Sequence, residues 1–354
     1  MCPILIVGAY SPDNIGDGLL AELSVQIAYE STAAEIYLFA LDVKGFRRDL
    51  QDNPQKYPGL LPKNIFSSLN IFSIVKILLR KNIAVIAIGG EYLIFSNFKS
   101  AAKSFVANGI PLFLGLLLNK PTGFFPQGII VSKSLRPFIT PILSRAHWIL
   151  LRDSISLAEL DNLNNVFKSS DLAILAIPPR AVHANTCEII GIILHEVSDS
   201  EAFLNSARKL ASLPNVQFFL QSDVGKNNRD LLFLNNTLGI DNVQSARNLY
   251  ESQTKIGVLI STRLHGAIGA IRAGIPAIHI AYSRKGKAVF DDLGLSEYCI
   301  NFGDMDVLQV IELAELLLSS TTIQNSYWQC ITDRRELLKR RRNAILQLTK
   351  NLLE

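Results

Sequence analysis

Residues 257–281 read GVLISTRLHGAIGAIRAGIPAIHIA. The apolar run up to Ile260 is strand-like, and Leu264, Ile268, Ile271 and Ile275 then recur at spacings of four, three and four, which predicts a helix with one buried face. Gly274 supplies a C-terminal stop, Pro276 prevents continuation, and AIHIA resumes an apolar strand. Strand, helix and strand in succession make a βαβ unit, whose two strands run parallel.

The same alternation extends in both directions. On the N-terminal side ILIVGAY (4–10), EIYLFAL (35–41), IAVIAIGG (83–90), IPLFLGLL (110–117), GFFPQGI (123–129) and WILLRD (148–153) are strand candidates, and DGLLAELSVQIAYE (17–30) is a helix with Asp17 as its N-cap. EIIGIILHE (188–196), VQFFLQSD (216–223), IGVLIST (256–262) and PAIHIAY (276–282) form a second series, separated by helices such as EAFLNSARKLASL (201–213). Pro178 and Pro179 make a stiff connection between the two. The expected organisation is α/β throughout: an N-terminal Rossmann-like domain over 1–175, a C-terminal one over 186–330, and a basic amphipathic helix over 331–354. That last helix places Leu338, Ile345, Leu348 and Leu352 on one stripe and Lys339 to Arg342 on another face, which suits either a solvated helix or contact with an anionic membrane surface.

Composition agrees with a packed two-domain globular protein. The 354 residues exceed what one core of roughly 250–300 residues accommodates, and 49% are hydrophobic against 19% charged. A net charge of +4 is too small for a general nucleic-acid footprint. Cys2, Cys187, Cys299 and Cys330 lack the spacing of a zinc site or a disulfide framework, as expected for reduced thiols. MCPILIVGAY has no basic segment before its apolar run, so a signal peptide is not expected and the predicted location is cytoplasmic. The most apolar window, 110–131, is broken by Asn119, Lys120, Pro121 and Pro126 and is not expected to span a membrane.

Ser261, Thr262, Arg263 and His265 fall at the carboxyl end of a strand and the amino end of a helix. Free helix N–H groups and the positive end of the dipole favour an anion there, Arg263 offers a planar fork for carboxylate or phosphate, and His265 can donate a proton near neutral pH. The alternative is a capped helix whose arginine reaches solvent and whose histidine is a satisfied polar group. YSRKGK (282–287) follows the next strand, so Lys285 and Lys287 emerge at the same edge, either towards a ligand or as a solvated loop.

These segments resemble the polysaccharide pyruvyl transferase family along almost the whole chain. The resemblance rests on GAYSPDNIGDGLL, AIGGEYL, FPQGI, LLRDSISLAEL and DLAILAIPP, and most specifically on STRLHGAIGAIRAGIPAIHIAYSRKGKAVFDDLG. It implies two Rossmann-like domains facing across a cleft in a GT-B-like architecture, phosphoenolpyruvate as donor, and transfer of pyruvate as a ketal to a sugar of a cell-surface or secreted glycan or its lipid-linked precursor. It further implies His265 as catalytic acid and Arg152, Arg263, Leu264 and Lys285 as donor-binding residues. No metal is demanded, since arginines and helix N-termini can carry the donor's charge.

The N-terminal loop lacks a P-loop lysine, and Asp13 and Asp17 repel an anion, so it suits a neutral sugar better. Asn14, Asp17 and Glu91 are accordingly acceptor-binding candidates, beside the simpler reading of Asn14 and Asp17 as a helix-capping turn. The chain departs from the family pattern where His195 stands in place of an arginine and Leu220–Gln221 in place of a Pro-His pair. A GT-B nucleotide-sugar glycosyltransferase and a non-catalytic glycan-binding protein on the same scaffold remain alternatives.

Overall fold

The structure is a computed structural model that describes residues 2–80, 82–178, 187–198, 200–222, 228–251, 255–282 and 284–353. It divides into two compact units, one of Met1–Pro12, Asp17–Leu175 and Leu337–Glu354, the other of Asp13–Gly16 and Ala176–Glu336. The Pro178–Pro179 connection expected from sequence runs into residues 179–186, which lie outside the described residues.

The first unit is built on strands β1 (Ile4–Ala9), β2 (Ile36–Ala40), β3 (Leu60–Ser67), β4 (Ala84–Ala87), β5 (Gly90–Phe95), β6 (Thr122–Val131), β7 (Trp148–Leu151) and β8 (Val166–Lys168). Their order is β3-β2-β1-β4-β6-β7-β8, with β5 also pairing β6, and every pairing is parallel. β1 is buried along its whole length because helices cover both faces of the sheet, which explains its unbroken apolar sequence. On one face Leu5, Val7, Phe39, Val85, Phe124 and Ile149 pack with Ile74, Leu112, Phe113, Leu116 and Leu143 of the covering helices.

Three expectations are corrected here. IPLFLGLL is not a strand but the helix Ile110–Leu117. It is apolar on nearly every side, and periodicity cannot separate a buried helix from a buried strand; its leucines favour the helix, and Gly115 lets it approach Val85 closely. Asp17 is not an N-cap, because the first helix already begins at Ile15 and runs to Thr32, with Asp17 in its first turn. The C-terminal helix is a 31-residue element, Thr321–Asn351, rather than one starting at 331. Its polar opening, TTIQNS, obscures a buried stripe of Tyr327, Ile331, Leu338 and Ile345.

The second unit carries β9 (Ile190–Ile193), β10 (Val216–Leu220), β11 (Val243–Ser245), β12 (Val258–Ser261), β13 (Ala277–Ala281) and β14 (Cys299–Asn301). The order is β11-β10-β9-β12-β13-β14, all parallel, with Ser261 in register with Ile193. Both units are therefore Rossmann-like. In the second the chain builds outward from β9 in one direction and then, from β12, in the other. The β9–β12 junction is thus the topological switch point, beyond whose carboxyl ends ligands of open parallel sheets bind.

Candidate active site

His195 follows β9, Gln221 follows β10 and Arg263 follows β12, so all three emerge at the carboxyl edge of this sheet, His195 and Arg263 at its switch point. The turn after β12 is tied down locally. Thr262 N–H donates to the Ile193 carbonyl at 3.0 Å, the Thr262 hydroxyl oxygen accepts the His195 N–H at 2.7 Å, and Arg263 N–H donates to Ser261 Oγ at 3.1 Å. These bonds fix where the helix Leu264–Ala273 begins. Its cap residue, Arg263, has extended backbone angles and no side-chain cap bond, so the first helical N–H groups are not consumed by that side chain.

The Arg263 guanidinium is held from one edge. Its Nε and Nη2 donate to Asp230 at 3.1 and 2.8 Å, while His195 Nδ1 lies 2.8 Å from the other Asp230 oxygen and 3.0 Å from Arg263 Nη2. Asp230 is buried; the Arg263 side chain keeps 30% of its exposure. Burial pushes the Asp230 carboxyl up, but the His195 hydrogen bond and the Arg263 charge outweigh it and hold the group below its ordinary value. Sequence reading missed Asp230. It sits at the second position of the helix Arg229–Leu238, where an acidic residue reads as a helix-dipole partner.

The small residues of the helix Leu264–Ala273 have specific neighbours. A Cβ on Gly266 would stand 2.7 Å from Ser261 Oγ and 3.3 Å from Gln221 Oε1, and one on Gly269 would stand 2.4 Å from the Tyr250 ring. Tyr250 donates its hydroxyl to Gln221 Oε1 at 2.6 Å, and burial pushes its phenol up. His265 packs against Gly16: a Cβ there would lie 2.8 Å from His265 Nδ1. The Asp13–Gly16 segment belongs to this unit, with Asn14 bridged to Ser222 and the Ile15 N–H donating to the Gln221 carbonyl at 3.1 Å.

The second unit therefore brings together Arg263, Leu264, His265 and Asn14 among the residues expected from sequence. Leu264 is buried, so its side chain serves packing and its backbone N–H faces the helix end. YSRKGK is not a loop: Arg284–Leu293 is a helix, whose Gly286 makes room for the buried His279 ring. Lys287 is exposed and pairs with Asp291 at 3.4 Å, whereas the side chain of Lys285 lies outside what the structure describes.

Arg152, Asp17 and Glu91 belong to the first unit. Arg152 is 2% exposed and forms an ion pair with Asp171, so its charge is already committed inside the unit. Asp17 accepts the Tyr92 hydroxyl at 2.8 Å, and Tyr92 stacks on Tyr10 at 5.0 Å. Burial and the neighbouring Asp17 push the Tyr92 phenol well up, keeping it a donor. Glu91 is half-buried on β5, beside Gly128 of β6. Among the described residues, no group of three or more His, Cys, Asp or Glu side chains is disposed to hold a metal ion.

Several solved structures align with the chain along nearly its whole length. UDP-GlcNAc 2-epimerase from Neisseria meningitidis bound to UDP-GlcNAc aligns with a TM-score of 0.57 at 12% identity, over 98% of this chain and 99% of that one. HepE from Anabaena in complex with UDP-glucose aligns with a TM-score of 0.58 at 10% identity, over 100% and 99%. The glycotransferase of kitacinnamycin gives 0.52 at 10% identity, over 100% and 99%. At these identities the likeness shows the fold, a GT-B-like pair of Rossmann-like units. No curated protein matches the sequence. Residues 14–284 match the family described as polysaccharide pyruvyl transferase, a span holding β9 to β13 and the whole Arg263–Asp230–His195 cluster. The chain belongs to the polysaccharide pyruvyl transferase family.

Proposed function

We propose that the protein transfers the pyruvyl group of phosphoenolpyruvate to a sugar of a cell-surface glycan or exopolysaccharide, or to its lipid-linked precursor, as a ketal, releasing phosphate. The observation that carries the reading is the Arg263–Asp230–His195 cluster at the switch point, with His265 on the first turn of the adjoining helix. Asp230 takes the Nε–Nη2 edge of Arg263, which orients the guanidinium and leaves the Nη1 edge for an anion. The helix N–H groups add donors for the same charge without metal.

His265 protonates the donor's methylene carbon, giving an oxocarbenium-like centre at the carbon that bears carboxylate and phosphate. One acceptor hydroxyl attacks that centre. Phosphate then leaves as the second hydroxyl closes the ketal, and of the two hydroxyl protons one restores His265 and the other departs with phosphate. Arg263 holds the anionic donor, and Lys285 adds a second cation from the helix after β13. Arg152, sealed against Asp171, acts by positioning its own unit. Asn14, Asp17 and Glu91 bind acceptor hydroxyls, the Asp17–Tyr92 pair presenting one carboxylate already oriented.

A nucleotide-sugar transferase is the second reading, favoured by neighbours solved with UDP-GlcNAc and UDP-glucose. Such a ligand calls for a carboxylate accepting both ribose hydroxyls, and Asp291 is already engaged by Lys287 and by Ser296 at 2.6 Å. Calorimetry separates the two readings. Phosphoenolpyruvate is expected to bind the wild type and to bind Arg263→Met at least roughly tenfold more weakly, the loss of one charge-assisted pair. No heat with phosphoenolpyruvate and saturable binding of a UDP-sugar would reverse the assignment.

A further inference from the structure

The helices that cover one face of the first unit's sheet are apolar on both sides. In the helix Ile71–Leu78, Ile74, Ile77 and Leu78 face the core, yet Ile71, Phe72 and Val75 face solvent, and Phe72 is 78% exposed. This helix packs on Ile110–Leu117, which packs on Arg136–Leu143, so the three form one layer over a shared core. The same layer and the helix Phe98–Ser104 that precedes it expose Leu117, Phe138 at 70%, and Phe98 at 82%. Scattered exposed apolar residues are ordinary, but three phenylalanines left outside by helices whose inner faces are already filled mark a surface with a partner.

Charge identifies that partner. Glu91 is the only acidic residue between Asp52 and Asp153, a stretch that carries twelve lysines and arginines. Lys76, Lys99, Lys133 and Arg145 are exposed on or beside these helices, while Glu91 lies on β5. A second copy docked on this face would set cation against cation with no carboxylate in the layer to pair them. An anionic leaflet supplies both an apolar interior for the rings and phosphates for the cations. Among the described residues no helix is long and apolar enough to cross a membrane, so the contact is peripheral. The basic run of the C-terminal helix is the weaker candidate, since Arg341 bonds Ser170 and Arg342 pairs with Glu30.

We propose that the outer surface of the helices Ile71–Leu78, Ile110–Leu117 and Arg136–Leu143, with Phe98 at the start of the helix Phe98–Ser104, docks the protein on an anionic lipid bilayer. The assignment stands apart from the proposed reaction, because none of these residues belongs to the cluster around Arg263.

Cosedimentation of the full chain with vesicles tests it, comparing phosphatidylcholine alone with phosphatidylcholine containing roughly one third phosphatidylglycerol. The protein is expected to pellet with the anionic vesicles and not with the neutral ones, with retention falling as salt is raised. The triple variant Phe72→Ser, Phe98→Ser, Phe138→Ser and the triple variant Lys76→Ser, Lys99→Ser, Lys133→Ser should each lower the partition constant by roughly tenfold or more, whereas Arg340→Ser leaves it unchanged. The lysine set, entirely on the surface, guards against misfolding of the phenylalanine set. Absence of the wild type from anionic vesicles would overturn the proposal, as would binding undiminished in both triple variants. So would a dimer dissociated by the phenylalanine substitutions, with no vesicle binding.

Discussion

Asp230 and Arg263 meet edge on, with Nε at 3.1 Å and Nη2 at 2.8 Å from one carboxylate oxygen, and His195 closes on the other oxygen at 2.8 Å. A carboxylate used in this way holds the arginine's plane as well as its charge. Asp230→Asn keeps the volume and one acceptor but loses the charge. We expect it to cost about 1–3 kcal/mol of stability, less than for a fully buried pair because Arg263 is 30% exposed, and to weaken donor binding by roughly tenfold. Urea unfolding and phosphoenolpyruvate calorimetry on the same variant check both.

The depressed Asp230 pKa fixes the sign of a pH effect. Its stabilisation is present in full above the unfolded carboxylate value of 3.8 and is lost as pH falls through the lower folded value. The stability difference between wild type and Asp230→Asn should therefore be flat from pH 7 down to roughly pH 5 and shrink below about pH 4. Urea midpoints across this range measure it; a difference that grew on acidification would contradict the assignment.

Gly16 packs closely against the His265 ring. A methyl group there would stand 2.8 Å from Nδ1 and 2.9 Å from the His265 Cβ, closer than real atoms approach. Gly16→Ala should lower kcat by roughly tenfold or more under conditions where the variant is fully folded, because a displaced acid loses its alignment, and should destabilise by about 1–3 kcal/mol. Unchanged turnover would mean that the ring's position does not matter to the reaction.

Gly269 has a structural duty instead. Its absent Cβ would fall 2.4 Å from the rigid Tyr250 ring. Gly269→Ala should destabilise by about 1–3 kcal/mol, and Tyr250→Leu in the same chain should recover part of it, a coupling that a double-mutant cycle measures.

Arg152 and Asp171 form a pair exposed 2% and 0%. Asp171→Ala should cost about 3–5 kcal/mol because it strands a buried cation, while adding Arg152→Met should restore much of that loss. Chemical denaturation of the single and double variants distinguishes this positioning role from direct donor contact, in which Arg152→Met would weaken phosphoenolpyruvate binding without improving the stability of Asp171→Ala.

The central strands were legible because they are short apolar runs bounded by glycine, proline and charge, as ILIVGAY and GVLIS show. The start and stop of the helix Leu264–Ala273 were legible for a different reason: an apolar period of three and four ends on Gly274, which adopts a φ of 83°. IPLFLGLL defeated the same method, since a segment that is apolar nearly all round carries no period. Arg263 and His265 could be singled out as polar residues in an apolar frame, but the carboxylate that holds Arg263 could not. Asp230 lies 33 residues away on another helix, and only the parallel order β10-β9-β12 brings it near Arg263.

The most direct test of the account is phosphate release from phosphoenolpyruvate across a panel of free and lipid-linked glycosides, with mass spectrometry of the products, for wild type, His265→Ala and Arg263→Ala. The account predicts a pyruvylated glycoside formed with stoichiometric phosphate by the wild type and by neither variant. A wild type that forms no such product across the panel and binds no phosphoenolpyruvate, or a His265→Ala enzyme that turns over at the wild-type rate, would contradict it.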